Sequence, residues 1–276
     1  MDAIESRIKA IHDNLSHWMT SDVLKACLGM TDLTSLKPTD TRSGITRLVG
    51  KVNAFQERFP DYPLPASICV YPNFARTVKE TLKVPGVDTT VVAGCFPASQ
   101  SFLEVKVLES RMAVEDGADE VDIVLALNSF LDRDLSRCEA EIRAVREVTE
   151  GRILKVILET GALADGEMIR EAAFLAMESG ADFIKTSTGK MEPAATPFAA
   201  IVMCGCIKDY FEKTGRRIGF KPAGGISTAK DAAVYYAIAE TILGEEWLTP
   251  KLLRFGASRV ANSIISEIEK SSVTYF

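Results

Sequence analysis

Short apolar or β-branched runs alternate along this chain with longer segments in which apolar residues recur at helical spacing. Each short run is bounded by glycine or polar residues and has the length of a buried strand. The pattern therefore predicts eight strands, which lie within residues 27–33, 66–72, 88–94, 119–127, 153–160, 182–187, 217–225 and 252–258.

The longer segments predict the helices that connect these strands. The segment from 99 to 116 is an example, because its large apolar residues recur every three or four positions and it ends at a glycine. This spacing is typical of an amphipathic helix that packs by its apolar face. The residues on that face are Phe102, Val105, Leu108, Met112 and Ala113.

Strict alternation of strand and helix implies parallel strands joined by crossover helices. Eight such units in 276 residues fit a single-domain α/β fold, a (β/α)8 barrel (TIM barrel) that covers 1–276. Residues 1–26 read as an additional N-terminal helical extension, and 271–276 as a C-terminal tail. An open doubly wound sheet is the alternative, but no G-x-G-x-x-G motif follows the first strand.

Composition and charge narrow the classes of function. The formal net charge is -6 and the isoelectric point is near 5.2, which argues against a surface for nucleic acid or for an anionic membrane. The N-terminus has no secretory apolar segment, and no stretch reaches the length of a membrane span. Six scattered cysteines suit a reducing compartment. These features predict a cytoplasmic protein with no nucleic-acid or membrane partner.

The sequence contains few residues that could bind a metal ion. Its two histidines, His12 and His17, both lie in the N-terminal segment, far from the ends of the predicted strands. Cys204 and Cys206 form a C-G-C motif, but no further Cys or His lies at ligand spacing, so buried helix residues are the favoured interpretation. We expect no metal site and no cofactor.

Three consecutive predicted strands each carry a lysine inside an apolar run. These residues are Lys155, Lys185 and Lys221, and the preceding strand carries Asp122. Neighbouring strands lie about 4.8 Å apart, so the side chains can interact. Burial and a second nearby cation both disfavour the ammonium form of a lysine. The pattern therefore indicates a neutral amine that attacks a carbonyl to form a Schiff base, with an aspartate to move protons.

Glycine-containing loops follow the last three predicted strands. The motifs are T-S-T-G-K after strand six, P-A-G-G-I-S-T after strand seven and G-A-S-R after strand eight. Glycines allow backbone N–H groups to approach an anion, and barrels of this type commonly bind phosphate at the loops after strands seven and eight. The sequence therefore predicts a phosphate site there, with Ser258 and Arg259 at the start of the last helix.

These motifs together resemble one family of enzymes. The segments A-D-F-I-K-T-S-T-G-K, G-F-K-P-A-G-G-I, G-A-D-E-V-D-I-V, L-K-V-I-L-E-T-G and R-F-G-A-S look like those of the deoxyribose-phosphate aldolases. The similarity extends from the first strand to the last helix. It implies a metal-independent (β/α)8 lyase that forms a Schiff base. The implied reaction is reversible cleavage of 2-deoxy-D-ribose 5-phosphate to D-glyceraldehyde 3-phosphate and acetaldehyde.

The resemblance also implies roles for individual residues. Lys185 would form the Schiff base, Lys221 would lower its pKa and take part in proton transfer, and Asp122 would relay protons. Lys155 would support them electrostatically. Tyr275 is a candidate relay group, because longer relatives end on a tyrosine that reaches the active site. The implied contacts to the substrate and its phosphate are Asp32, Thr34, Gly189, Lys190, Gly224, Gly225, Ser258 and Arg259, the last standing where some relatives have a second serine.

Two alternatives remain open at the level of sequence. The first is another Schiff-base aldolase or a transaldolase that acts on a larger phosphosugar. The second is a barrel that binds a phosphosugar without catalysis. The oligomeric state is open as well, with a homodimer as one candidate.

Overall fold

The computed structural model of the protein describes residues 2–276. Eight parallel strands form one sheet in the order β7-β6-β5-β4-β3-β2-β1-β8. The strands are β1 Thr31–Thr34, β2 Ser67–Val70, β3 Asp88–Val92, β4 Glu120–Val124, β5 Ile153–Ile157, β6 Phe183–Lys185, β7 Gly219–Lys221 and β8 Phe255–Ala257. Parallel bridges from Phe220 to Leu253 and from Ala223 to Gly256 join the two edge strands. The predicted (β/α)8 barrel is therefore confirmed.

Helices surround this barrel and connect its strands. Short 3-10 turns occur at Leu15–Trp18, Pro72–Phe74, Thr160–Ala162 and Glu245–Trp247. The α-helices are α1 Asp2–Asp13, α2 Ser21–Gly29, α3 Arg42–Asn53, α4 Phe55–Arg58, α5 Ala75–Thr81, α6 Leu103–Glu115, α7 Leu127–Leu131, α8 Leu135–Val148, α9 Gly166–Glu178, α10 Pro197–Thr214, α11 Ala229–Leu243 and α12 Val260–Glu269.

The N-terminal extension consists of α1, a 3-10 turn and α2. Helix α1 packs against α10 and α11, whereas α2 packs against α11 and α12. The predicted first strand began too early, because residues 27–29 still belong to α2 and the strand starts at Thr31. The physical reason is the helical spacing of Leu24, Cys27 and Leu28, which buries all three against the outer ring of helices.

Successive side chains along each strand alternate between the layer under the helices and the inside of the barrel. On β4, Val121 and Ile123 join the hydrophobic core between the sheet and the helices, while Glu120 and Asp122 point to the inside of the barrel. The same alternation places Leu154 and Val156 of β5 in that core and Lys155 inside. The apolar runs of the sequence therefore face the helices, and the inside of the barrel is largely polar.

Helix α6 is orientated differently from the prediction. Of the five residues predicted to form its packing face, only Ala113 is buried, together with Lys106 and Ser110. The other four, Phe102, Val105, Leu108 and Met112, are exposed. The helix packs inward through a buried ion pair between Lys106 and Glu141 of α8, with 2.6 Å between Nζ and Oε2, and through small side chains. The prediction of an apolar packing face was therefore wrong.

One aromatic ring fills the lower inside of the barrel. Phe183 of β6 is paired in register with Gly219 of β7, and its ring occupies the space in which a side chain at Gly219 would lie. A Cβ atom at residue 219 would come within 2.3 Å of that ring. Lys155 and Arg254 both lie over the same ring, at 5.8 and 5.9 Å from its centroid. Gly219 is therefore required for packing.

We expect Gly219→Ala to lower the free energy of unfolding by about 1–3 kcal/mol, because the ring of Phe183 has no free space to move into. The measurement is the midpoint of denaturant-induced unfolding. Gly205→Ala is the matched control, since a Cβ atom there meets nothing within 4 Å and Gly205 lies within α10. The control should be stabilised by about 0.5–1 kcal/mol. Equal midpoints for the two variants would contradict the packing role of Gly219.

Candidate active site

Strand register places two lysines side by side. Lys185 of β6 is paired with Lys221 of β7, so their side chains enter the barrel at the same level. Lys155 of β5 is paired instead with Asp122 of β4 and with Phe183 of β6. The three lysines predicted as one row therefore form a pair with a third lysine one level below it.

Asp122 is the group that all three lysines share. Its Oδ2 atom accepts hydrogen bonds from Lys185 at 2.8 Å and from Lys221 at 2.7 Å. Its Oδ1 atom accepts one from Lys155 at 2.9 Å. All four side chains are buried. The carboxylate thus provides a direct hydrogen-bonded connection between the two upper amines.

A second set of charges supports this centre from below. Arg254, which directly precedes β8, donates to Asp32 and to Glu120 at 2.5 and 2.6 Å. Asp32 also lies 2.5 Å from Nζ of Lys221, and Glu120 lies 2.5 Å from Nζ of Lys155. The sequence had not marked Arg254 or Glu120 as site residues, although both are charged residues inside apolar runs.

Two hydroxyl groups complete the lower set. Ser67 of β2 donates to Asp32 at 2.8 Å, and Thr90 of β3 donates to Glu120 at 2.5 Å. Neither residue had been predicted, because a single hydroxyl in a strand carries no pattern. Five of the eight strands, β1 to β5, therefore contribute a side chain to the support of Asp122 and the lysine pair.

The buried charges do not balance. The cations Lys155, Lys185, Lys221 and Arg254 face three buried carboxylates, those of Asp32, Glu120 and Asp122. A fourth carboxylate, that of Asp88, lies 3.7 Å from Arg254, but its side chain is 45% exposed and burial raises its pKa to about 6. An uncompensated charge away from water is costly, so one cation is favoured to lose its proton. Lys185 contacts one carboxylate, whereas each of the other three cations contacts at least two. Lys185 is therefore the site where the network releases a proton.

The pKa values of the two neighbouring lysines move in opposite directions. Burial lowers the pKa of Lys185, and the positive charge of Lys221 adds to this effect. Burial also disfavours the charged form of Lys221, but the carboxylates of Asp122 and Asp32 outweigh it and raise its pKa. The three lysine cations outweigh burial at Asp122 and hold its pKa well below the usual range. Of the two neighbouring amines, Lys185 therefore loses its proton more easily than Lys221.

A cavity of about 260 Å³ opens directly above Lys185. Asp32, Asp122, Lys155 and Lys221 are buried below it. Lys37 and Ser35, which the sequence had not suggested, also line it. The cavity brings together the predicted residues Thr34, Lys185, Gly189, Lys190, Gly224, Gly225, Ser258 and Arg259.

The loops after β6 and β7 are fixed to each other at the cavity wall. Thr186 Oγ1 accepts a hydrogen bond from the backbone N–H of Ala223 at 3.0 Å. Gly189 and Gly224 both have positive φ, and a Cβ atom on Gly224 would lie 2.9 Å from Cα of Gly189. Only glycine fits at residue 224, because the two loops touch through their backbones. The wall is therefore preformed.

A buried glutamate holds the loop after β6 from the other side. Glu159 accepts hydrogen bonds from the backbone N–H and the hydroxyl of Thr188 at 3.1 and 2.5 Å. It has a positive φ of 52°, in the left-handed region. Such strain in a non-glycine residue persists only where the surroundings hold it. Glu159 thus positions Thr188 at the cavity, a role that the sequence had not indicated.

Two predicted cationic contacts stand at the rim of the cavity. The ammonium group of Lys190 donates to the backbone carbonyl of Leu36 at 2.5 Å, which places it across the opening. Arg259 and Ser258 are exposed and precede the first turn of α12. Backbone N–H groups at a helix N-terminus and nearby cations both favour an anion. The rim can therefore accept a phosphate group.

Tyr275 does not line the cavity. Its hydroxyl donates to the backbone carbonyl of Lys51 at 2.7 Å, and its ring packs against Phe55, Phe59 and Phe276. The side chain of Asn262 holds the last two residues through their backbone groups. The predicted tail 271–276 is thus folded back along α12, and the relay group proposed at Tyr275 lies away from Lys185 in this arrangement.

Residues considered for metal binding lie elsewhere. Cys204 and Cys206 are buried in α10, and burial raises the pKa of both thiols. Within residues 2–276, no group of three or more His, Cys, Asp or Glu side chains converges in a way that could hold a metal ion. Across the same residues, no helix has the length and apolar content to cross a membrane.

Comparisons with known proteins agree with the geometry. A family model described as DeoC/LacD family aldolase matches residues 30–245. The deoxyribose-phosphate aldolase of Homo sapiens is 39% identical over 282 residues, which cover 96% of this chain and 85% of the human protein.

Solved structures give the same fold. The structure of QR15, an aldolase, is 26% identical with a TM-score of 0.71, and the match covers 87% of this chain and 96% of that one. The tetrameric deoxyribose phosphate aldolase from Aeropyrum pernix is 23% identical with a TM-score of 0.69, and the match covers 92% of this chain and 94% of that one. At this identity, the similarity is evidence for the fold alone. Together with the family match, these similarities show that the chain belongs to the DeoC/LacD family of aldolases.

Proposed function

We propose that this protein cleaves 2-deoxy-D-ribose 5-phosphate reversibly to D-glyceraldehyde 3-phosphate and acetaldehyde through a Schiff base on Lys185. The observation that carries the proposal is the pair of neighbouring lysines with opposite pKa shifts on one carboxylate, below a cavity with an anion-binding rim. Two titratable groups whose environments drive their pKa values apart are typical of an acid and base pair. The membership of an aldolase family supports the same conclusion.

Lys185 is the nucleophile in this mechanism. Its neutral amine attacks C1 of the open-chain aldehyde, and the resulting carbinolamine loses water to give an iminium ion. Both steps move protons, first off the nitrogen and then onto the departing hydroxyl group. Asp122 links Lys185 to Lys221 through one oxygen atom, so protons can pass between the amine and the ammonium group over two short hydrogen bonds.

The iminium then serves as the electron sink. The C3 hydroxyl loses its proton, the bond between C2 and C3 breaks, and its electron pair moves into an enamine on Lys185. D-Glyceraldehyde 3-phosphate leaves with C3, C4 and C5. Protonation of the enamine at C2 and addition of water to the renewed iminium release acetaldehyde and the free amine. The reaction uses neither a metal nor an organic cofactor in this scheme, because the protonated imine supplies the polarisation.

Substrate orientation follows from the two ends of the cavity. Lys185 stands at the floor, while Gly189, Gly224, Gly225 and the start of α12 form the far wall and rim. We assign the 5-phosphate to that rim, with Lys190 and Arg259 as its cationic partners. Thr34 lines the wall between the two ends and Asp32 orients Lys221 from below. The role of Lys155 is to support Asp122 electrostatically.

The alternative substrates are larger phosphosugars. Similarity to curated deoxyribose-phosphate aldolases, 39% for the human protein, favours the five-carbon substrate over a larger one. Relative rates of cleavage on deoxyribose 5-phosphate and on fructose phosphates distinguish the two. We also propose a cytoplasmic location, because free cysteines suit a reducing compartment. We propose assembly as a homodimer, since a relative of the same fold is oligomeric.

A covalent trap tests the nucleophile. Sodium borohydride added with acetaldehyde should reduce the iminium and leave an ethyl group on Lys185, which peptide mapping by mass spectrometry locates. Lys190→Arg is the matched control, because it keeps the amine at the cavity floor and should still be labelled at Lys185. A binding protein without catalysis would give no adduct, and an adduct on another lysine would show that the nucleophile is misassigned.

Lys185→Met should abolish activity, by about 10³-fold or more, yet leave the fold intact. The reason is charge balance, since the variant retains three buried cations for three carboxylates. Its free energy of unfolding should stay within about 1 kcal/mol of the parent. Lys155→Met should instead lose about 3–5 kcal/mol, because it removes a fully buried cation that contacts the three carboxylates of Glu120, Asp122 and Asp32. Similar losses in both variants, measured by denaturant unfolding, would contradict this difference in the number of carboxylates that the two lysines contact.

Lys221→Met should move the activity profile to higher pH. Without the Lys221 cation, three carboxylates face three cations, so Lys185 keeps its proton and its pKa rises. A raised pKa means a smaller neutral fraction at neutral pH, where kcat/KM should fall by roughly 10²–10⁴. The measurement is kcat/KM against pH, and the acidic limb should shift to the alkaline side. An unshifted profile would remove the electrostatic role of Lys221.

Arg259→Ala should raise KM for deoxyribose 5-phosphate roughly tenfold with little change in kcat, as expected for loss of one contact to a charged group. Cleavage of unphosphorylated 2-deoxyribose should be unaffected. Lys251→Ala is the control, since Lys251 is an exposed cation at the opposite end of β8. An equal effect of Arg259→Ala on both sugars would place Arg259 outside the phosphate site.

A further inference from the structure

A second cavity, of about 300 Å³, lies between α6 and α8 at the loops that follow β3 and β4. It is similar in size to the cavity of about 260 Å³ above Lys185, and the two are lined by different residues. We call this second cavity the outer pocket. Its walls include Ser99, Gln100, Lys106, Asn128, Arg137 and Glu141.

A buried ion pair forms the inner wall of the outer pocket. Nζ of Lys106 lies 2.6 Å from Oε2 of Glu141, and the two side chains are only 4% and 9% exposed. The ammonium group also donates to Oγ of Ser99 at 3.0 Å, and that hydroxyl donates to the backbone carbonyl of Val124 at 3.0 Å. An ammonium group has three N–H donors. Two of them are used here, so one remains for a group in the pocket.

Arg137 adds a second cation to the same carboxylate. Its Nε atom lies 3.3 Å from Oε1 of Glu141, so a cation contacts each oxygen of that carboxylate. Among residues 2–276, Nη1 and Nη2 of Arg137 make no hydrogen bond or ion pair. A guanidinium edge in this state can bind a carboxylate through two parallel hydrogen bonds.

The walls of the outer pocket are one negative charge short. The two cations, Lys106 and Arg137, share the single carboxylate of Glu141. One further carboxylate would complete an alternating set of two cations and two anions. A phosphate monoester carries about 1.5 to 2 negative charges near neutral pH and matches this surplus less well. The charge count therefore favours a monocarboxylate.

Neutral polar groups line the rest of the pocket. The carboxamides of Gln100 and Asn128 make no hydrogen bond within residues 2–276, and both lie at the wall. A carboxamide can both donate and accept, which suits hydroxyl groups on a ligand. The polar lining therefore favours a hydroxylated molecule over a purely apolar acid.

The loop that carries Ser99 is held in a strained conformation. Cys95 and Ser99 have positive φ values of 61° and 55°, in the left-handed region that residues other than glycine rarely adopt. Glu109 of α6 accepts a hydrogen bond from the backbone N–H of Cys95 at 2.7 Å, and Lys106 and Val124 hold the hydroxyl of Ser99. Residues strained in this way persist only where their surroundings fix them. This wall of the pocket is therefore preformed.

We propose that the outer pocket is a second ligand site, which binds a small hydroxycarboxylate. The carboxylate of the ligand lies between Lys106 and Arg137, and its hydroxyl groups face Gln100 and Asn128. Because the pocket is separate from Lys185, this binding does not depend on the aldol reaction.

Three probes with the same carbon skeleton test the charge count. D-Glycerate carries a carboxylate, glycerol is neutral and glycerol 3-phosphate carries a phosphate. In calorimetric titrations of the full chain, D-glycerate should bind saturably at one site and glycerol should not bind. Glycerol 3-phosphate should bind the outer pocket more weakly than D-glycerate does. A crystal soaked in D-glycerate should show its carboxylate within hydrogen-bond distance of Lys106 and Arg137.

Arg137→Gln should weaken the binding of D-glycerate about tenfold or more, because it removes a charged donor pair. The fold should persist, since the side chain of Arg137 is 55% exposed. Arg143→Gln is the matched control, because Arg143 is a 54% exposed arginine of α8 that pairs with Glu139 outside the pocket. Arg259→Ala is a second control, because Arg259 lines the other cavity. Both controls should bind D-glycerate like the parent.

Several results would overturn the proposal. These are the absence of saturable D-glycerate binding, parental affinity in Arg137→Gln, and an affinity that falls in Arg259→Ala instead, which would place the ligand above Lys185. Glycerol 3-phosphate that binds more tightly than D-glycerate and loses this affinity in Arg137→Gln would overturn the assignment of a carboxylate.

Discussion

One surplus positive charge inside a closed barrel is the constraint on which the site depends. Four buried cations share three buried carboxylates, while the carboxylate of Asp88 beside Arg254 is partly exposed to solvent. The strands exclude the water that would otherwise screen the imbalance. The cation with the fewest carboxylate partners, Lys185, loses its proton most easily. The lowered pKa of Lys185 therefore depends on all the charges of the network rather than on one neighbour. Arg254 and Glu120 belong to this network although neither reaches the cavity.

The fold maintains this imbalance by dividing the faces of its strands. Outward side chains such as Val121 and Val156 form the core under the helices, and inward ones carry the charges. The core supplies stability, so the inside of the barrel is free to hold an arrangement that is unfavourable by itself. The loops at the carboxyl ends then form a cavity without disturbing the strands. The buried charges therefore lie on the strands, and the cavity is formed mainly by the loops that follow β1, β6, β7 and β8.

Hydrophobic periodicity and sequence motifs predicted the strands and the helices, but not which face of each helix packs against the barrel. Eight strands and the lysines on β5, β6 and β7 follow from the residues alone, because a charge inside an apolar run is unusual. Helix α6 illustrates this, because its large apolar residues Val105, Leu108 and Met112 are exposed. The helix packs instead by Lys106, Ser110 and Ala113. Apolar residues at helical spacing indicate that one face of a helix is apolar and the other polar. Which face turns inward depends on partners such as Glu141, which is distant in sequence.

By itself the sequence determined the barrel, the lysines and the glycine loops, because these depend on local spacing and on the type of each residue. Only the tertiary structure decided that Lys185 and Lys221 share one oxygen of Asp122 while Lys155 lies a level below. It also placed Tyr275 against Lys51 and brought Arg254 between Asp32 and Glu120. The reason is that register, tilt and closure of the strands set these distances, and electrostatic coupling depends on the distances rather than on the order of residues.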